Sequence, residues 1–82
     1  MSDITASEDT LLDACGWTCP LPVLRARKLL KAMAVGENLT VLATDPGSVR
    51  DFEAFCRQTG NTLLESREDV DGVYHYRIKK IV

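Results

Sequence analysis

Two prolines separated by a single residue, Pro20 and Pro22, restrict the backbone around them more tightly than any other feature of the 82 residues. Proline has a fixed φ and no N–H. A pair this close fits the first turn of a helix, where N–H groups have no intrahelical partner, and breaks a helix elsewhere. The pair therefore sets a helix start, with Pro20 at the first helical position and Cys19 at the cap, held out of the α region by the proline after it. The residues that follow agree. Val23, Ala26, Leu30 and Met33 recur at helical spacing, joined by Leu29, and Gly36 comes after them as a stop.

The remaining segments fall into place around that helix. Residues 1–9 lack apolar periodicity and read as a flexible tail, leaving one domain over 10–82. Residues 10–14 read as a first strand, punctuated by Gly16, and Leu39 to Thr44 suits a buried strand. Thr44-Asp45-Pro46-Gly47 supplies a polar cap and a first-turn proline for a second helix. That helix carries Val49, Phe52, Phe55, Cys56 and Thr59 on one face and ends at Gly60. Strands follow over Thr62 to Asp69 and Val73 to Ile81, joined by the hairpin signal Asp71-Gly72. The order βαβαββ predicts an α+β fold: a two-layer α/β sandwich with two helices packed on one face of a four-stranded mixed sheet. A core this small leaves no room for a deep pocket, so any chemistry is expected at the surface.

Charge narrows the function classes. The net charge is −2, with ten basic against twelve acidic side chains, and phosphate binding normally draws on a clear positive excess, so no direct nucleic-acid contact is expected. No apolar run approaches the roughly twenty residues of a membrane span. The first residues are acidic and polar where a secretory leader is basic and then apolar, so a cytoplasmic chain with reduced thiols is expected. The charge is also uneven. Asp3, Glu8, Asp9 and Asp13 precede the proline pair without a base, while Arg25, Arg27, Lys28 and Lys31 follow it without an acid.

Three cysteines in so short a chain cannot all pair with one another. Cys56, on the apolar face of the second helix, reads as core packing. Cys15 is open between packing and an auxiliary thiol. The C-x3-C spacing of Cys15 and Cys19 is not a redox C-x-x-C, and His75 stands alone, so no metal site or cofactor is expected. Cys19 differs because of its place. Serine, threonine, aspartate or asparagine would cap better. At the cap, facing the N–H groups of Leu21 and Val23, its sulfur is expected to be a stabilised thiolate. Without a histidine or asparagine to form a dyad, hydrolysis is not the chemistry. With Val23, Ala26, Leu30 and Met33 facing inward, Leu21 and Leu24 lie outward beside Lys28 and Lys31, a docking patch next to the thiol.

Leu12-Asp13-x-x-Gly16-x-x-Cys19-Pro20-x-Pro22 ahead of a basic amphipathic helix, with Asp45-Pro46, Arg50-Asp51 and Phe55-Cys56 further on, resembles the TusA/SirA-like sulfur carrier proteins over residues 11–80. The resemblance implies the sandwich of a bacterial translation initiation factor's C-terminal domain. It also implies a sulfurtransferase that acts only with partner proteins: Cys19 accepts sulfane sulfur as a persulfide and passes it on. The implied donor is a cysteine desulfurase or a rhodanese, the implied acceptor a protein of the DsrE/TusD type. Implied uses are 2-thiouridine in tRNA, molybdenum cofactor assembly and dissimilatory sulfur oxidation. Asp13 and Gly16 would shape the loop presenting Cys19, supported by Pro20 and Pro22. Arg27 and Lys31 would meet acidic partner surfaces, with Asp45 near the same rim, and the chain is expected to be a monomer that forms transient complexes. Three other readings stand beside this one. They are a non-catalytic interaction module using the leucine patch, a thiol redox switch through Cys15 and Cys19, and, on fold analogy alone, an RNA binder.

Overall fold

A computed structural model describes residues 9–82, so the expected tail lies outside the described residues except for Asp9, which opens the first strand. Strand β1 (Asp9–Ala14) leads through helix α1 (Leu21–Ala32) to β2 (Asn38–Ala43), then through helix α2 (Gly47–Thr59) to the hairpin of β3 (Thr62–Glu68) and β4 (Tyr74–Lys79). The sheet order is β1-β2-β4-β3, with β1 parallel to β2 and both other pairings antiparallel. It is the expected mixed four-stranded sheet in the expected βαβαββ order.

Alternation along β2 shows which face is covered. Leu39, Val41 and Ala43 are buried while Asn38, Thr40 and Leu42 are only half-covered. Tyr76 and Ile78 of β4 share the buried face, and the core is completed by Ala26 and Leu30 from α1 and Phe52, Phe55 and Cys56 from α2. Phe52 and Tyr76 stack with ring centroids 4.6 Å apart, the offset arrangement that aromatic pairs prefer. Ser48 lies buried in this layer because its hydroxyl shares a 2.7 Å hydrogen bond with the Tyr76 hydroxyl.

Several boundaries differ from the sequence reading, each for a local reason. α1 begins at Leu21, with Pro20 as the cap residue, so Cys19 stands one residue before the cap instead of capping the helix. Pro22 is fully buried, and the inward line of α1 is Pro22, Ala26 and Leu30, with Val23, Leu29 and Met33 flanking it half-buried. Pro22 contributes more than an absent donor, because its ring supplies apolar surface to the core side of α1. α1 ends at Ala32, ahead of Gly36, because the chain turns extended at Met33, whose carbonyl accepts a 2.6 Å hydrogen bond from Lys80 Nζ. β3 and β4 stop short of Asp69 and Val73 because Asp69 Oδ1 accepts the N–H groups of Asp71 and Val73 and closes the loop. Gly72 takes the left-handed conformation there at φ 82°.

Candidate functional site

Parallel pairing of β1 with β2 decides where the site forms. Ala14 and Ala43 are register partners, so the two strand-to-helix turns leave the sheet side by side, at the carboxyl ends of parallel strands where open α/β sheets place their sites. The turns are tied to each other. Gly16, at φ 85°, points its N–H at Thr44 Oγ1 at 2.8 Å, and the Cys19 N–H donates to Asp45 Oδ2 at 2.5 Å. Asp45 uses its other oxygen to accept the Gly47 N–H at 3.1 Å, which holds the start of α2 in the manner of a polar cap. Asp13 Oδ1 accepts the Cys15 N–H at 3.1 Å, so the first turn is braced from its own strand as well.

Cys19 is exposed on this scaffold and its peptide bond to Pro20 is cis. Its sulfur lies over the first turn of α2. A Cβ placed on Gly47 would be 3.7 Å from Sγ, an ordinary contact. One helical turn on, Asp51 Oδ2 accepts a hydrogen bond from the Cys19 thiol. Gly47 and Asp51 are i and i+4, so a single face of α2 supports the sulfur. The sulfur opens onto a shallow surface groove walled by Pro46, Gly47, Val49, Arg50, Asp51 and Glu53, in keeping with a core too small for a deep pocket.

The electrostatics reverse one expectation. The thiol of Cys19 is held above the ordinary cysteine value, chiefly by its hydrogen bond to Asp51, then by partial desolvation and by the charges of Asp51 and Asp45. Standing outside α1, Cys19 does not receive the helix N–H groups. The Leu21 N–H, expected to face the sulfur, donates to the Thr18 carbonyl at 3.0 Å. The resting site is a neutral thiol beside a carboxylate, not a thiolate at a helix cap.

The other cysteines separate. Cys56 is buried in the core, which pushes its thiol up to about 11. Cys15 is exposed, and desolvation followed by its hydrogen bond to Asp13 raises its thiol, with the charges of Asp13 and Asp69 adding to this. Its charged neighbours are thus Asp13 and Asp69, whereas those of Cys19 are Asp51 and Asp45. His75 is partly covered on β4, with Nε2 2.8 Å from Asp69 Oδ2. Among the described residues no group of three or more His, Cys, Asp or Glu side chains could hold a metal ion, and no helix is long and apolar enough to cross a membrane.

The α1 residues expected to dock partners are exposed along the helix, with Leu21 and Leu24 in its first turn, nearest Cys19, and Lys28 and Lys31 toward its far end. Leu21 and Leu24 are 46% and 55% exposed, large fractions for leucine, and Arg27, Lys28 and Lys31 are exposed along the same helix. Leu24 and Arg27 share an inter-helix groove with Pro20, Asp51 and Phe55, which joins this surface to the carboxylate under the sulfur. Arg27 and Lys31 also border a second groove with Leu30, Phe55 and Lys80. Asp45, expected on the rim, is closer than that: it anchors the Cys19 backbone itself.

Two contributors escaped the sequence reading. Asp51 was visible only as part of a motif, because its role depends on α2 lying against Cys19. Trp17, half-buried in the same turn, lies beneath the Arg25 guanidinium at 5.7 Å, a cation–π contact that no periodicity reveals.

Comparison with known proteins settles the family. The family model described as Sulfurtransferase TusA matches residues 10–80. The chain belongs to the TusA family. It is 59% identical over 75 residues to the sulfur carrier protein TusA of Allochromatium vinosum, covering 92% of this chain and 97% of that one. A putative sulfur carrier protein of Neisseria meningitidis serogroup A is 60% identical over 63 residues, covering 77% and 84%. The crystal structure of a SirA-like protein from Desulfitobacterium hafniense superposes with a TM-score of 0.80 at 30% identity, over 89% of this chain and 99% of that chain. The chain is a TusA-type sulfur carrier protein, a role that requires partner proteins to supply and receive the sulfur.

Proposed function

We propose that Cys19 carries the sulfur, as a persulfide. The observation that supports this reading most directly is the placement of its thiol: exposed, braced through its backbone N–H by Asp45, and open to a shallow groove that a second protein can enter. Cys56 is enclosed by the core. In loading, the Cys19 sulfur attacks the terminal sulfane sulfur of a donor persulfide. The donor's S–S bond breaks with its electron pair on the donor's cysteine sulfur, and the Cys19 proton passes to that leaving group. In unloading, an acceptor thiolate attacks the terminal sulfur and Cys19 leaves. Sulfur moves without net oxidation or reduction, so no cofactor is called for.

The donor is a cysteine desulfurase or a rhodanese and the acceptor is of the DsrE/TusD type, feeding tRNA thiolation, molybdenum cofactor assembly or sulfur oxidation. In this reading the chain is a sulfurtransferase only in company. It works as a monomer in the cytoplasm, and Leu21, Leu24, Arg27, Lys28 and Lys31 form the docking surface. Mass spectrometry after incubation with such a donor tests the reading. One added sulfur on the peptide holding Cys19, lost on reduction and missing in Cys19→Ser, is expected. Loading that survives Cys19→Ser sinks the assignment. Partner binding and biological activity that survive it favour the interaction module instead, and a Cys15–Cys19 disulfide under mild oxidant favours the redox switch.

A further inference from the structure

The two carboxylates at the thiol have different duties. Asp45 is occupied by the N–H groups of Cys19 and Gly47, while Asp51 accepts the hydrogen of the thiol itself. Neither the Arg67–Glu65 pair nor the Asp69–His75 pair reaches this site. Around the sulfur, Arg50 and Glu53 also line the groove, and Arg27 borders Asp51 from α1.

Loading changes what Asp51 faces. In the empty carrier the S–H of Cys19 donates to Oδ2. Once sulfur is bound, the Cys19 sulfur carries no hydrogen, and the terminal sulfur, being more acidic than an ordinary thiol, takes up negative charge near neutral pH. The carboxylate then loses its donor and meets a like charge, which is unfavourable. We propose that Asp51 sets the direction of sulfur flow, stabilising empty Cys19 over its persulfide so that the carrier holds sulfur weakly and hands it on. This rests on Cys19 being the carrying residue. The exchange is Cys19–SH + R–S–SH ⇌ Cys19–S–SH + R–SH: one S–S bond forms, one breaks, and the proton moves to R–S⁻. Asp51 acts on the position of that balance and is not consumed.

Equilibration with glutathione persulfide and glutathione at a fixed ratio, read by intact-protein mass, measures the balance directly. Asp51→Asn should raise the loaded-to-empty ratio about three- to fivefold, the scale of a partly solvated charge interaction. Asp51→Ala should raise it too, and Asp51→Glu should return it toward the starting value. A residue that only braces the fold would shift the melting temperature and leave the ratio alone. In the same samples, alkylation of empty Cys19 by iodoacetamide should become faster in Asp51→Asn, since more thiolate is present at a given pH. An unchanged or lower ratio in both folded Asn and Ala variants overturns the proposal. If the starting protein loads no sulfur, or Cys19→Ser still loads it, the carrier assignment fails instead.

Discussion

Ser48→Ala and Tyr76→Phe, made singly and together, test how the site is anchored to the core. The two hydroxyls meet at 2.7 Å, and each residue is only 1% exposed. Removing one hydroxyl strands the other away from water, at a cost of about 1–3 kcal/mol. Tyr76→Phe should fall at the lower end, because a helical serine can turn its hydroxyl back to a backbone carbonyl. Ser48→Ala should fall higher, since the tyrosine hydroxyl has no such freedom. The double variant leaves neither group stranded and should be less destabilised than the sum of the singles, by about 1 kcal/mol. In a domain of this size each kcal/mol corresponds to roughly 4–8 °C in melting temperature. Urea denaturation followed by the fluorescence of Trp17, the chain's single tryptophan, supplies the four free energies. Additive costs within about 0.5 kcal/mol would refute the reasoning: the hydroxyls would then be separately satisfied, and the second residue of α2, beside the glycine under Cys19, would not be tied to β4.

Three further outcomes are expected. The pH–rate profile for alkylation of Cys19 should have its midpoint above the ordinary cysteine value of 9.0, while Cys56, pushed to about 11 by burial, should react only on unfolding. A Cys19 midpoint below 9.0 would restore the helix-cap thiolate. Gly16→Ala meets open space but must hold φ 85°, which costs about 1–2 kcal/mol in the left-handed region; calorimetry should show the loss, and an unchanged melting temperature would mean the turn relaxes. Asp69→Ala should destabilise the β3–β4 hairpin at neutral pH. Its carboxyl is held below the usual range, first by His75 and then by backbone N–H groups, so its contribution is full above its unfolded value of 3.8 and fades as pH falls through the lower folded value. Denaturation curves for the two proteins should therefore converge in strong acid, and a gap that persists there would show that the charge is not involved.

Much of the fold was readable in the chain because its signals are local. Proline and glycine positions are set by backbone sterics, and periodicity within a single segment distinguishes helix from strand, so the six elements and their order follow from 82 letters. Cys56 was legible for the same reason: its spacing from Phe52 already placed it on a buried face. The surroundings of Cys19 were not legible. A helix-cap thiol suggested a stabilised anion, yet Asp45 and Asp51, 26 and 32 residues away in sequence, give it a braced backbone and a hydrogen-bonded neutral sulfur. Those contacts exist because β1 and β2 run parallel and bring two turns to one end of the sheet. Which thiol stands at a helix start is a property of consecutive residues and their dihedral limits. Which charges it meets depends on how strands pair, and electrostatic interactions act through space, blind to separation along the chain.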